Sequence, residues 1–245
     1  MGVNGSIPGG VEPRSAGVPL MKLYIGNKNY SSWSMRPWVL MTELGMEFEE
    51  VMVPFDFSPQ SSFYQTVTQV NPAGKVPVLV DEGFAVWDTL AIAEYLHEKF
   101  PGHGVWPTGQ RERARGRSIS AEMHSGFSAL RTHCPMNLEA QLPEVGARIW
   151  AEQPGVRKDM ARIEALWSDG LQTHGGPFLL GAFSAADAFF APVCTRLQTY
   201  GLPLSATARG YVERIVSLAS VRQWTLQAQQ EHQFIAEDEP YRTHR

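Results

Sequence analysis

Apolar positions along this chain change their rhythm once, near residue 100. Ahead of that point, short β-prone runs at Lys22–Gly26 and Phe48–Val53 flank a stretch, Met35–Leu44, of a different kind. There Met35, Trp38, Val39 and Met41 fall at helical spacing, and Gly45 supplies a stop. This strand–helix–strand order predicts two parallel strands joined by a right-handed crossover. Pro77–Val80 and Phe84–Trp87 read as two further strands around Asp81-Glu82-Gly83, a hairpin-turn signal. A helix from Thr89 to Phe100 follows and ends at Pro101-Gly102. After a Gly- and Pro-rich stretch reaching Gln110, segments near 111–132, 137–152, 157–174, 184–199, 205–219 and 221–235 all carry helical periodicity. The expected organisation is an α/β unit over 21–101, a linker over 102–110, an all-helical unit over 111–236 and a tail over 237–245. No internal repeat stands out.

Composition narrows the class without naming it. At 245 residues, with 43% hydrophobic and 19% charged residues, the chain reads as an ordinary soluble protein of one large or two modest domains. A net charge of −4 and a pI near 6.0 give no general attraction for nucleic acid or an anionic membrane. The charge is uneven: residues 22–100 hold five Lys/Arg against ten Asp/Glu, and residues 101–245 hold fifteen against fourteen. No apolar stretch approaches the roughly 20 residues of a membrane span. Cys134 and Cys194 are the only cysteines, too few for a disulfide framework and without metal-type spacing. Two buried reduced thiols suit a reducing compartment, here the cytoplasm. Residues 1–20 are Gly- and Pro-rich, lack the apolar core of a secretory signal, and read as a disordered leader ahead of Met21.

Three short segments can carry chemistry. In Tyr30-Ser31-Ser32-Trp33-Ser34-Met35-Arg36-Pro37, a proline tolerated only in a first helical turn places the helix start near Ser34 or Met35, with Ser34 as N-cap. Ser31 and Ser32 then sit just ahead of a helix N-terminus, where free N–H groups favour an anion such as a thiolate. Serines merely solvating a loop are the plain alternative. In Asn71-Pro72-Ala73-Gly74-Lys75-Val76-Pro77, Pro77 opens a strand. A cis Val76-Pro77 bond would turn the Val76 backbone outward to pair with a peptide-like ligand, and Lys75 would offer charge to a carboxylate. A simple turn with a solvated lysine is the other reading. Asp88-Thr89 lies where the last strand meets its helix, suited to capping and to holding a ligand's carboxylate and ammonium.

With these segments in this order, the chain resembles the cytosolic glutathione transferases, and its Ser-Ser-x-Ser-x-Arg run at 31–36 is similar to the serine-type, zeta-like subgroup. Phe178-Leu179-Leu180-Gly181-Ala182-Phe183-Ser184-Ala185-Ala186-Asp187 resembles another signature of that family, in which Ser184 and Asp187 form a capping box. The resemblance implies an α/β thioredoxin-like N-terminal domain, an all-α C-terminal domain and homodimerisation. It also implies glutathione as co-substrate, while charge, cysteine spacing and apolar run lengths give the expectation of no metal, no nucleic acid and no membrane partner. Asp88-Thr89 stands where the family usually has Glu-Ser, one methylene shorter. On this reading Ser31, then Ser32, contacts the thiol, while Lys75, Val76, Pro77, Asp88 and Thr89 hold glutathione. Arg36 orders the helix start.

The second-substrate side carries less signal. On the predicted helix 111–132, positions 120, 124, 127, 128 and 131 share one face, so His124, Phe127 and Arg131 are the candidates for that pocket. Core packing of Met123, Phe127 and Leu130 competes with this. Arg111, Arg113, Arg115 and Arg117 read as a solvated or dimer-facing run. The expected activity is thiolate attack on a small, hydrophobic electrophile. The alternatives are a glutathione-dependent isomerase of the maleylacetoacetate isomerase type and a non-enzymatic glutathione-fold binding protein. Positions 31–34 contain no cysteine, which counts against disulfide exchange.

Overall fold

The computed structural model describes residues 21–245, so the reading of residues 1–20 as a leader lies outside the described residues. Strands β1 (Met21–Ile25), β2 (Phe48–Met52), β3 (Val78–Asp81) and β4 (Phe84–Trp87) form one sheet in the order β2-β1-β3-β4. β1 runs parallel to β2 and antiparallel to β3, and β3 pairs antiparallel with β4. Glu82 and Gly83, at φ 50 and 84, both adopt the left-handed conformation that a two-residue hairpin turn of this twist demands. Helix α1 (Ser32–Glu43) makes the crossover between β1 and β2, and α3 (Thr89–Lys99) follows β4. The six-residue α2 (Ser62–Val67), capped by Ser61, lies between β2 and β3; it is too short to show a helical period in the sequence.

The helical part holds α4 (Gln110–Ser125), α5 (Ser128–His133), α6 (Pro143–Glu152), α7 (Pro154–His174), α8 (Ala185–Tyr200), α9 (Ala206–Ser217) and α10 (Ala219–Glu231), then a 3-10 turn at Ala236–Asp238. The single helix expected over 111–132 is broken. Gly126 is extended and Phe127 is left-handed, at φ 56, so helical spacing does not run through this point. Asp159 Oδ2 accepts from the Leu130 backbone at 3.0 Å and satisfies an open donor of α5. The helix expected from 137 starts instead at Pro143, because Asn137 builds a turn, its Oδ1 accepting from Ala140 at 3.1 Å. α10 stops at Glu231, four residues short of expectation, with His232 left-handed.

α8 is the central post. Its residues are buried almost without exception, and it packs against α1, α4, α6 and α9. Ser184 caps it, and Asp187 returns the bond to the Ser184 backbone at 3.1 Å, the capping box expected. Asp187 Oδ1 also accepts from Leu179 N–H and from the Tyr211 hydroxyl, at 3.1 and 2.9 Å. Burial pushes its carboxyl up to about 6 despite those bonds. One hydrophobic core runs through both parts, from Leu23 and Met35 to Trp167 and Phe190. No described helix is long and apolar enough to cross a membrane.

The loop between β1 and α1 ties the C-terminal segment to the sheet. Lys28 Nζ bonds Glu50 Oε2 at 2.6 Å and also Gln227, and lies 4.9 and 5.1 Å from the ring centres of Trp38 and Trp224. The Tyr30 hydroxyl donates to Glu239 Oε1 at 2.7 Å. These contacts bring the 3-10 turn and its Asp238 to the cavity described next.

Candidate active site

The serine loop differs in detail from its sequence reading. Helix α1 begins at Ser32, so Ser31, not Ser34, is the N-cap, and its Oγ accepts from the Ser34 backbone at 3.4 Å. Ser34 is buried in the first turn. Its hydroxyl lies 2.7 Å from Ser31 Oγ and accepts from Gly26 N–H at 3.1 Å. Pro37 therefore sits inside the helix, leaving the Trp33 carbonyl without its usual i+4 donor. The Ser32 hydroxyl has no hydrogen bond to another described residue. The Arg36 guanidinium is wholly buried and lies 4.2 Å from the ring centre of Trp33, in the first turn of the same helix, and 5.1 Å from that of Phe189.

Two turns face this helix end. The Val76-Pro77 bond is cis, as expected. Asn71 fixes the turn before it: its Nδ2 donates to the Lys75 carbonyl at 2.8 Å and its Oδ1 accepts from Ala73 N–H at 3.0 Å. Gly74, at φ 64, supplies the left-handed residue that lets the chain reverse. At the start of α3, Asp88 is the N-cap and Oδ1 accepts from Leu90 N–H at 2.8 Å. Asp88 holds φ 75, a conformation uncommon outside glycine and concentrated at functional sites.

His124 joins the helical part to this corner. Its Nε2 lies 3.2 Å from Asp88 Oδ2, its Nδ1 3.3 Å from Thr89 Oγ1, and its ring meets Trp33 edge-on at 5.0 Å. Burial lowers its pKa against the pull of Asp88, and Arg36 and Arg131 lower it further, so the ring is neutral near pH 7. A residue expected in the second-substrate pocket thus also holds the Asp88-Thr89 corner in place.

A cavity of about 800 Å³ opens between the α/β and helical parts. Ser31, Ser32, Lys75, Val76, Pro77, Asp88 and Thr89 line it together with His124 and Arg131. Phe127 is not among the lining residues. It is 7% exposed and belongs to the core, because the break at Gly126 ends the helical face that would have carried it to the pocket. Arg131 instead folds back, donating from Nη2 to the carbonyls of Met123 and His124 at 2.8 and 3.1 Å.

The family models for the glutathione S-transferase N-terminal and C-terminal domains match residues 30–99 and 138–224. The chain belongs to the glutathione S-transferase family. It is 29% identical over 175 residues to a zeta-class glutathione S-transferase of Euphorbia esula, spanning 71% of this chain and 74% of that protein. It is 28% identical over 204 residues to maleylacetoacetate isomerase of Pseudomonas aeruginosa, spanning 82% and 91%. Among solved structures, a glutathione transferase homologue from Burkholderia with bound glutathione superimposes with a TM-score of 0.61 at 26% identity, covering 86% of this chain and 99% of that one.

The cavity also holds residues that the sequence does not announce. Trp33, Arg196 and Asp238 line it, with Pro135 and Met136 beside them. Arg196 left one trace in the sequence, a lone cation inside the apolar run of α8. Its Nε donates to the Cys134 carbonyl at 2.8 Å and its Nη1 to Pro192 at 3.3 Å. Burial, then Arg131, lowers its pKa to about 10, so it stays charged at neutral pH. Burial raises the Asp238 carboxyl to about 6, helped by Glu237 and Glu239. Asp238 left no sequence signal at all. Among the described residues no group of His, Cys, Asp or Glu side chains is placed to hold a metal ion.

Proposed function

We propose that this family member binds glutathione along the α/β wall and activates its thiol for attack on a small electrophile. One observation carries the reading: three segments far apart in sequence, 31–32, 75–77 and 88–89, meet in the lining of one cavity. The N-terminus of α3 offers N–H groups to the γ-glutamyl carboxylate, Asp88 faces its ammonium, and Lys75 offers charge to the glycyl carboxylate. The Val76 backbone pairs with the cysteinyl peptide in the manner of strand addition. The similar Burkholderia structure carries glutathione, which supports this placement.

The thiol then lies at the N-terminus of α1. Ser31 Oγ donates to Ser34 Oγ at 2.7 Å in the free protein; rotation of both hydroxyls, so that Ser34 donates instead, frees the Ser31 proton for sulfur. Ser32, with its uncommitted hydroxyl, supplies the second donor. A free thiol titrates at about 8.5, and each unit of lowering corresponds to about 1.4 kcal/mol in favour of thiolate. The thiol proton leaves to solvent, and the thiolate sulfur forms a C–S bond to the electrophile as its leaving group departs with the electron pair, chloride in the case of chlorodinitrobenzene.

The test is turnover of chlorodinitrobenzene with glutathione by wild type, Ser31→Ala and Ser32→Ala. The proposal expects Ser31→Ala to lose the most; full activity in both variants contradicts it. Similarity to maleylacetoacetate isomerases favours a second reading, glutathione-dependent cis–trans isomerisation, which assay with maleylacetoacetate decides. We also infer a cytoplasmic homodimer, which sedimentation of the purified protein and fractionation of cells test.

A further inference from the structure

We infer that the second substrate bears a carboxylate, seated against Arg131 and Arg196 with the Arg36 guanidinium behind them. This rests on the glutathione reading above and names the substrate class for the arginine-lined part of the same cavity. Arg36, on α1, is 0% exposed, and no described residue accepts a hydrogen bond from its Nε, Nη1 or Nη2. Arg131 and Arg196 both line the cavity. Their hydrogen-bond acceptors are backbone carbonyls, and Arg131 Nε has none. The Trp33 ring couples the group, with Arg36 Cζ at 4.2 Å and Arg131 Cζ at 4.5 Å from its centre. None of the three arginines forms an ion pair among the described residues.

Such a cluster is physically unbalanced. Guanidinium groups do not discharge at accessible pH, and a buried cation without a partner carries a desolvation penalty of several kcal/mol. Three within mutual range add repulsion to that penalty. The acids in reach do not cancel it. Asp88 is engaged by the Leu90 N–H and by His124, and Asp238 faces two further acids, Glu237 and Glu239. An entering carboxylate would gain charge-assisted hydrogen bonds from two forks at once. Trp33, Pro135 and Met136 line the same cavity and suit a flat, unsaturated body attached to that carboxylate. Glutathione's own carboxylates have Lys75 and the start of α3, so they do not need this cluster.

The test compares chlorodinitrobenzoate with its methyl ester, a pair that reacts alike: the glutathione sulfur forms a C–S bond, the C–Cl bond breaks and chloride leaves. The ratio of kcat/KM for acid over ester, corrected for the uncatalysed rates, is the readout, so partial misfolding of a variant cancels. In parallel, calorimetry measures binding of the two finished glutathione conjugates and of glutathione itself. Wild type should favour the acid about tenfold in both measurements, and Arg196→Met and Arg131→Gln should each bring the ratio towards one, with Arg131→Lys restoring part of it. A ratio near one in wild type overturns the proposal. So does a ratio that survives both substitutions, or a loss of glutathione affinity that matches the loss for the acid conjugate. Tighter acid-conjugate binding without turnover would leave the carboxylate seat standing and sink the transferase reading alone.

Discussion

The α/β residues that line the cavity sit on turns and caps each fixed by hydrogen bonds within a few residues, whereas the helical part contributes two long cations and one acid from distant segments. In the first set, Asn71 holds the turn of Lys75, and Asp88 caps the helix that Thr89 begins. In the second, Arg131, Arg196 and Asp238 come from α5, α8 and the last turn of the chain. The first set resembles a template, its turn and cap held by local hydrogen bonds and ready for a peptide. The second set is left short of negative charge. The contrast suggests that the constant partner reads preformed hydrogen bonds while the variable partner supplies the missing charge.

Breaking the first set should have the larger effects. Ser31→Ala removes a donor to the developing thiolate and is expected to lower kcat/KM with chlorodinitrobenzene about a hundredfold. Steady-state kinetics check this, and a loss below about threefold would remove Ser31 from the site. Asn71→Ala strips both hydrogen bonds from the turn before the cis bond. A loss of about 1–3 kcal/mol in glutathione binding follows, read by calorimetry, with kcat at saturating glutathione changing less than KM.

Around the second set the expectation reverses sign. Arg36→Met keeps apolar contact with Trp33 and Phe189 and deletes an unpartnered buried cation. It should stabilise the free protein by about 1–2 kcal/mol in urea unfolding while weakening the acid conjugate. A destabilised variant would show that the guanidinium is structural. The smallest effect concerns pH. Asp238 titrates at about 6, and His124 is held below its ordinary value. As pH falls through about 6, Asp238 loses its negative charge, and His124 gains a positive one only below its ordinary range. Binding of the acid conjugate relative to the ester conjugate should therefore tighten about two- to fivefold between about pH 7 and about pH 5.5.

The same contrast explains what the sequence disclosed. The strand–helix–strand start, the hairpin at Glu82-Gly83, the cis Val76-Pro77 turn and the Ser184–Asp187 box all depend on neighbours within a few positions. Local chemistry therefore announced them. The Ser34 cap was misplaced because Pro37 suggested a later helix start than tertiary packing allows. Phe127 was misplaced because periodicity carried the helix across Gly126, where the bond from Leu130 to Asp159 favours a break. Arg196 and Asp238 reach the cavity only through the packing of α8 and the tie between Tyr30 and Glu239. No spacing rule connects residues 33, 131, 196 and 238.

The central claim is that the start of α1 turns a bound thiol into a thiolate, and ultraviolet titration of the glutathione complex measures that directly. Thiolate absorbance in the wild-type complex should rise with a midpoint below about pH 7.5, at least a unit under the value of about 8.5 for a free thiol. Ser31→Ala should move it back up. A wild-type midpoint equal to that of free glutathione would contradict the account and leave a glutathione-binding fold without thiol activation.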